Sequence, residues 1–168
     1  MKTKVIILSA FMAVLAIPAT MAQSLVNTPA TVTLGTPLTL TLQPSSPNLN
    51  FGNLNIPTSQ GTCVLSPTGV PTYNNVVGTS TPNSVSFIVT GGASKTIAIT
   101  VPSGTVALTG AQTGTTINLS DFQTNLPTLT LDAITGSATF GVGATLTLNP
   151  TDKDDTYTGT FPVSVAYN

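Results

Sequence analysis

The 168-residue sequence contains no histidine, glutamate, arginine or tryptophan, and only 5% of its residues are charged. The absence of histidine excludes a Ser-His-Asp triad, and the usual zinc sites need histidine or several cysteines. Four lysines without arginine give no basic cluster that could neutralise nucleic acid phosphates. The composition therefore argues against an enzyme and against a nucleic-acid-binding protein.

Three of the five aspartates, Asp152, Asp154 and Asp155, lie in one short run beside Pro150. Aspartate suits turns because its side chain accepts hydrogen bonds from nearby backbone amides. Three carboxylates could also bind Ca²⁺, but the run lacks the Asp-x-Asp-x-Asp-Gly pattern with a distal glutamate. The sequence favours a solvated turn over a calcium site, and we assign no catalytic, cofactor-binding or metal-binding residue.

Cys63 is the only cysteine, so the chain cannot form an intrachain disulfide. In an exported protein a single cysteine could be a reactive thiol or form an intermolecular bridge. Cys63 lies in a strand-like apolar run, and free cysteines are usually buried. We therefore predict a small core side chain at this position.

Residues 1–22 have the pattern of a signal peptide for export. Lys2 and Lys4 precede an apolar run over residues 5–17, and small residues follow up to a predicted cleavage before Gln23. The alternative is a membrane anchor, but the run is shorter than the roughly 20 residues that a bilayer requires. The remaining chain has two lysines and five aspartates, and this net charge of −3 leaves little self-repulsion against association.

Apolar residues after the signal segment alternate with threonine, the period of β-strands, and Pro and Gly interrupt them at short intervals. Gly91-Gly92 predicts a hairpin, and Gly141 with Gly143 predicts a tight connection or a bulge. The predicted strands cover residues 30–34, 38–42, 49–54, 61–65, 73–77, 84–90, 95–101, 116–119, 126–131, 137–142, 145–148 and 156–167.

Many short strands with threonine outward and aliphatic residues inward predict an all-β, immunoglobulin-like antiparallel β-sandwich. A β-helix is the main competitor, but the sequence has no fixed repeat period. The predicted core is anchored by aromatic side chains, each burying a large apolar area: Phe51, Phe87, Phe122, Phe140 and Phe161. The predicted domain covers residues 37–168, after an N-terminal arm over residues 23–36.

Both ends of the exported chain carry a strand pattern suited to association. In the arm, Ala30, Val32 and Leu34 alternate before the Gly35-Thr36-Pro37 break, and an extended arm would reach some 30–40 Å. This arm could add to a neighbour's sheet or form the first strand of its own domain. In the last strand one face carries apolar side chains, with Pro162 on the other face: Phe161, Val163, Val165 and Tyr167.

Six stretches resemble a bacterial exported family, the domain of unknown function number 4402. They are LNFGNL (49–54), GTCVLSPTG (61–69), FIVTG (87–91), ITVP (99–102), VGATLTL (142–148) and YTGTFPVSVAYN (157–168). That family resembles spore coat protein U type pilus subunits. The resemblance implies a Gram-negative surface fibre subunit, assembled through a periplasmic chaperone and an outer-membrane usher and completed by the next copy's N-terminal strand. The sequence departs from those relatives at Pro162, within the expected chaperone-contact strand, and at Cys63, which stands alone where they often carry paired cysteines.

The function expected from the sequence is a non-enzymatic structural subunit of a surface fibre. Ala30, Val32 and Leu34 would form the donor strand, and Phe161, Val163, Val165 and Tyr167 would form the acceptor or chaperone-contact strand. The expected location is the cell surface or an extracellular fibre, after passage through the periplasm. The alternative is a self-contained surface or periplasmic binding module that uses the polar loop over residues 67–83.

Overall fold

The computed structural model describes residues 31–168, so the predicted signal peptide and Ala30 lie outside the described residues. The chain divides into two units, Met1–Thr33 and Leu34–Asn168, and every described strand lies in the second. Those strands are β1 (Thr39–Leu42), β2 (Gly61–Leu65), β3 (Pro71–Asn74), β4 (Val85–Thr90), β5 (Thr96–Thr100), β6 (Val106–Gly110), β7 (Thr116–Thr124), β8 (Thr128–Thr130), β9 (Ser137–Leu148), β10 (Tyr157–Thr158) and β11 (Ser164–Tyr167).

The strands form two antiparallel sheets. The large sheet has the order β1-β4-β9-β7-β6-β10, with β2 also paired to β9 and β3 paired to β2. The small sheet has the order β11-β5-β8. The predicted all-β class with antiparallel sheets is confirmed. Residues 31–168 contain no helix with the length and apolar character that a bilayer span demands.

The hydrophobic core draws side chains from both sheets. Phe140 and Val142 of β9 and Val89 of β4 are almost completely buried, as is Ile97 of β5 in the small sheet. Cys63 is 0% exposed, which confirms the predicted core position, and burial raises the pKa of its thiol to about 11. The predicted aromatic anchors all join this core: Phe51, Phe122 and Phe140 are buried, and Phe87 and Phe161 pack against them partly buried.

The predicted hairpin at Gly91-Gly92 is wrong, because this turn connects the two sheets. The strand before it, β4, pairs with β1 and β9, whereas the strand after it, β5, pairs with β8 and β11. A glycine pair permits a sharp change of direction but does not specify which strand becomes the neighbour.

Of the two alternatives predicted at Gly141 and Gly143, the tight connection is wrong, because one strand, β9, runs from Ser137 to Leu148. A Cβ atom at Gly141 would collide with the carbonyl oxygen of Pro67, and one at Gly143 would collide with that of Leu65. Because neither glycine has a side chain, the backbone of residues 65–67 can pass in contact with β9 at this point. A bulge does occur opposite Gly143, but it lies in the neighbouring strand β7, whose register with β9 shifts between Ser120 and Gln123.

Three further strand predictions need correction. The stretch 49–54 forms only isolated bridges, Asn50 with Asn83 and Leu54 with Gly78, and β6 was missed. The predicted last strand over residues 156–167 is divided into β10 and β11. Continuing the β5–β11 register from the Ser164–Thr100 pair places Pro162 opposite Pro102. Neither proline has an N–H, so ladder pairing ends at this point.

Candidate functional site: an apolar groove beside a free strand edge

An apolar groove lies over the inner face of the large sheet. Its floor consists of side chains from four strands, β4, β6, β7 and β9: Val85, Phe87, Leu108, Ile117, Leu119, Leu146 and Leu148. Within residues 31–168, no strand of the small sheet lines this groove. In the described chain this part of the large sheet is covered by other segments, and of the floor residues only Phe87 and Leu108 are partly exposed.

The groove has two lobes that share Leu49, Phe51, Leu108 and Tyr157. The first, of about 860 Å³, is lined near its rim by Leu42, Phe161 and Val163, without a charged side chain; we call it the apolar lobe. The second, of about 670 Å³, is bordered by residues 152–155; we call it the acidic lobe. Two segments form the walls, residues 47–57 and residues 152–163.

The wall over residues 47–57 is bonded on one side to residues 77–83. Asn50 and Asn83 exchange backbone hydrogen bonds of 2.8 and 2.7 Å, and Asn55 N–H donates to the Val77 carbonyl at 3.0 Å. Phe51 on this wall is buried, while Leu49 and Leu54 are partly buried against the core. The wall is thus an irregular segment, with Gly52 in the left-handed region, and its apolar side chains line the groove.

At the acidic lobe, Asp155 orders a turn through its carboxylate. Thr113 donates its backbone N–H and its hydroxyl to Asp155, both at 2.7 Å, and the N–H groups of Gln112 and Thr156 also donate. Asp152 accepts a hydrogen bond from Asn149 N–H at 2.7 Å. These are the bonds expected of aspartates in turns. Among the described residues, no group of three acidic or cysteine side chains is arranged to hold a metal ion.

The Asp155 bonds predict a pH dependence of stability. The backbone N–H of Thr113, followed by its hydroxyl, lowers the pKa of Asp155 from 3.8 to about 2. A folded-state pKa below the unfolded value stabilises the fold above the unfolded pKa, and this contribution disappears as the pH falls through the folded pKa. We expect Asp155→Asn to lower the free energy of unfolding at pH 7, with a difference from wild type that shrinks between pH 3.8 and about 2. Denaturant unfolding at several pH values measures this difference.

Asp154→Asn is the matched control, because Asp154 is exposed and its carboxylate accepts none of the hydrogen bonds found within residues 31–168. We expect this control to stay close to wild type across the same pH range. An Asp155→Asn deficit that is equally large at pH 7 and at the acid end would contradict the assigned role of the carboxylate.

Among the strands described within residues 31–168, β11 pairs only with β5 and therefore forms the outer edge of the small sheet. Asn168 N–H donates to the Thr96 carbonyl at 3.0 Å, and the same register pairs Ala166 with Ala98. Bonded and non-bonded pairs alternate in antiparallel ladders, so the even-numbered residues bond to β5. The main-chain N–H and C=O groups of Val165 and Tyr167 consequently point to the free edge.

Pro162 does not remove a donor from this edge. By the same alternation its nitrogen falls on the side of β5, opposite Pro102. Residues 159–163 contribute to none of the backbone hydrogen bonds found outside the strands of the described chain. The departure at Pro162 therefore affects pairing with β5 and leaves the outer edge of odd-numbered residues intact.

The structure brings together two of the four predicted acceptor residues at the groove. Phe161 and Val163 line the apolar lobe, and the Phe161 ring packs on Phe122 with centroids 4.9 Å apart. Val165 and Tyr167 lie further along, in β11. Phe161, Val163 and Val165 pack partly buried against the core, while Tyr167 is exposed. Phe161 and Val163 therefore border the groove from outside the strands, whereas Val165 and Tyr167 belong to the edge strand β11.

The described part of the N-terminal arm contains no strand. Residues 31–38 lie outside every strand, and Val32 and Leu34 are 81% and 89% exposed. Large apolar side chains that are this exposed on adjacent alternate positions need an explanation. Leu38, by contrast, packs against the core, so the chain joins the fold between these residues.

The groove itself could not be identified from the sequence. Its floor residue Leu108 lies in β6, which was missed because glycines flank a short Val-Ala-Leu-Thr pattern. Within one of its walls, the pattern over residues 49–54 indicated an ordinary strand. The groove depends on how distant segments pack around the large sheet, and local sequence patterns carry no signal for that arrangement.

A family model described as a domain of unknown function, DUF4402, matches residues 38–167. The chain belongs to this family, and the resemblance found in the sequence is confirmed at that level. No curated protein and no solved structure matches the chain significantly. The match begins at Leu38, where the described chain joins the core, and it includes both walls of the groove.

Proposed function

We propose that this protein is a structural, non-enzymatic subunit of a bacterial surface fibre, assembled by β-strand exchange. The observation that supports the proposal is the apolar groove, which borders residues 159–163 just before the edge strand β11 and which no strand of the small sheet lines within residues 31–168. An extended segment placed there would donate main-chain hydrogen bonds to the edge and bury alternate side chains on the floor.

The arm of a second copy fits this requirement. Ala30, Val32 and Leu34 lie on alternate positions, so an extended arm presents them on one face, with Thr31 and Thr33 on the other. In this mechanism the donor side chains would contact Phe161 and Val163, and the strand would continue along Val165 and Tyr167. Because donor and acceptor are different surfaces of one chain, repeated exchange produces an open filament.

The remaining parts of the proposal rest on the sequence. Export through the signal peptide at residues 1–22 would deliver the chain to the periplasm, where a chaperone could cover the free edge before an usher assembles the fibre. The lack of histidine and the small number of charged residues support a role without catalysis. In the assembled state the protein would lie at the cell surface.

Intermolecular disulfide formation tests the strand exchange. We expect a chain carrying Leu34→Cys to form a disulfide with a tagged chain carrying Val163→Cys, because Val163 lines the apolar lobe. Cys63 would not compete, since it is buried and its pKa is raised. Non-reducing electrophoresis would resolve the mixed dimer by its mass.

A tagged chain carrying Val70→Cys is the control for this cross-link, because Val70 is exposed and lies outside both lobes. We expect little mixed dimer with Leu34→Cys in this case. Equal yields from the Val163 and Val70 positions would indicate random collision and would refute insertion of the arm into the groove.

The second candidate is a self-contained surface or periplasmic binding module. The observation that supports it is the group of exposed side chains within residues 67–83, where Val70, Tyr73 and Val77 could contact a glycan or a protein partner. Size-exclusion chromatography of the exported chain with its N-terminus intact distinguishes the candidates. A stable monomer that unfolds cooperatively favours the module, and a polymer that depends on the arm favours the fibre subunit.

A further inference from the structure

Tyr167 forms a clamp between three separated parts of the chain. Its phenolic oxygen accepts a hydrogen bond from Gly92 N–H at 2.7 Å and donates one to the Thr36 carbonyl at 2.9 Å. Thr36 is 131 positions away in sequence. A hydroxyl can donate and accept at once, so one group joins the arm, the connection between the sheets and β11.

The surroundings of the clamp are closely packed. A Cβ atom at Gly91 would come within 2.8 Å of Leu38 Cδ1 and 3.0 Å of Leu131 Cδ1, and it would collide with the Tyr167 hydroxyl. Real Cβ atoms are not found this close to other heavy atoms, so glycine at position 91 gives the phenol its space. The hydroxyl is thereby held in one place relative to both sheets.

The clamp coincides with the point at which the arm leaves the fold. Leu34, two residues before Thr36, is almost fully exposed, whereas Leu38, two residues after it, packs against the core. We propose that Tyr167 is a positioning residue for strand exchange: its hydroxyl fixes the base of the arm, so that the exposed donor residues project from a defined place. This inference rests on the proposed function.

The physical reason is the entropy of the arm. Each residue whose backbone becomes free adds conformations that must be lost again when a donor strand is ordered. Without the hydroxyl, the Thr36 carbonyl loses its partner, and none of the hydrogen bonds found within residues 31–168 then holds the chain before Thr39. The base of the arm then has no fixed position, and productive encounters with a neighbour's groove become rarer.

Tyr167→Phe tests the clamp, because it keeps the ring and removes both hydrogen bonds. The full chain, exported with its own N-terminal segment, is used for wild type and variants. We expect hydrogen exchange of the Gly92 amide to accelerate about tenfold, the factor that corresponds to one net hydrogen bond. We also expect polymer formation, followed by light scattering, to slow severalfold.

Ser66→Ala is the matched control, because Ser66 lies outside both lobes of the groove. The Ser66 hydroxyl accepts a hydrogen bond from Val70 N–H at 3.0 Å, and this variant removes that bond without touching the arm. We expect this control variant to lower stability about as much as Tyr167→Phe does, without slowing polymer formation. A purely structural role for Tyr167 would make the two variants behave alike in all measurements.

The outcomes separate the two proposals. Unchanged Gly92 exchange in Tyr167→Phe, or assembly at the wild-type rate, would overturn this inference and leave the proposed function standing. If the wild-type chain forms no polymer that depends on the arm, the proposed function and this inference both fail, whatever the Gly92 amide does.

Discussion

Replacing both Val32 and Leu34 by aspartate is expected to leave the protein monomeric, as deleting residues 23–34 would. Burying a Val or Leu side chain stabilises an interface by about 1.5–3 kcal/mol each. A carboxylate in an apolar groove adds an unfavourable desolvation term. Together these changes should weaken the interaction by at least about 100-fold, since 1.4 kcal/mol corresponds to a factor of about ten. Light scattering coupled to size-exclusion chromatography measures the distribution of masses.

The control for this variant introduces the same two charges on the opposite face of the arm, as Thr31→Asp with Thr33→Asp. In an added strand these side chains point to solvent, so we expect assembly close to that of wild type. Neither pair should alter the unfolding of the monomer, because residues 31–34 are exposed. If both pairs impair assembly equally, net charge is responsible and the apolar donor face is not.

Alternating apolar residues predicted most of the strands and the core correctly, because this pattern depends only on local geometry, although β6 was missed and residues 49–54 form only isolated bridges. The burial of Phe140 and Cys63 follows from it directly. At Gly143 the local pattern was not sufficient. Glycine is required there because a side chain would collide with the backbone at Leu65, 78 positions earlier, and not because the strand turns at this residue. A glycine alone does not tell whether the constraint is a turn or a distant backbone.

The partners of strands were harder to predict than the strands themselves. The connection at Gly91-Gly92 leads from one sheet to the other, and the pairing of β5 with β11 joins residues more than 60 positions apart. The groove is harder still, because it depends on how distant segments pack around the large sheet. Of the parts of the candidate site, only the arm was indicated by the sequence. Its alternating residues predicted a strand, but they did not predict whether that strand joins its own domain or a neighbour's sheet.

Phe140→Ala is expected to lower the free energy of unfolding by about 3–5 kcal/mol, the usual range for a buried phenylalanine. Phe140 lies in β9 and is 1% exposed, and its ring stacks on Phe87 with centroids 5.3 Å apart. Small domains have only about 5–15 kcal/mol of stability in total, so we expect this variant to retain little folded protein at 37 °C. Equilibrium denaturation in urea, followed by circular dichroism, measures the loss.

Ile134→Ala is the control, because Ile134 is also a large apolar residue but is 92% exposed. We expect its effect to stay within about 0.5 kcal/mol. Phe140→Ala should also weaken assembly, because Phe87 contributes to the groove floor and would lose its stacking partner. A fold that loses less than about 1 kcal/mol on this substitution would mean that the sheet can close over the cavity, and the groove beside Phe87 would then be too adaptable to select a donor strand.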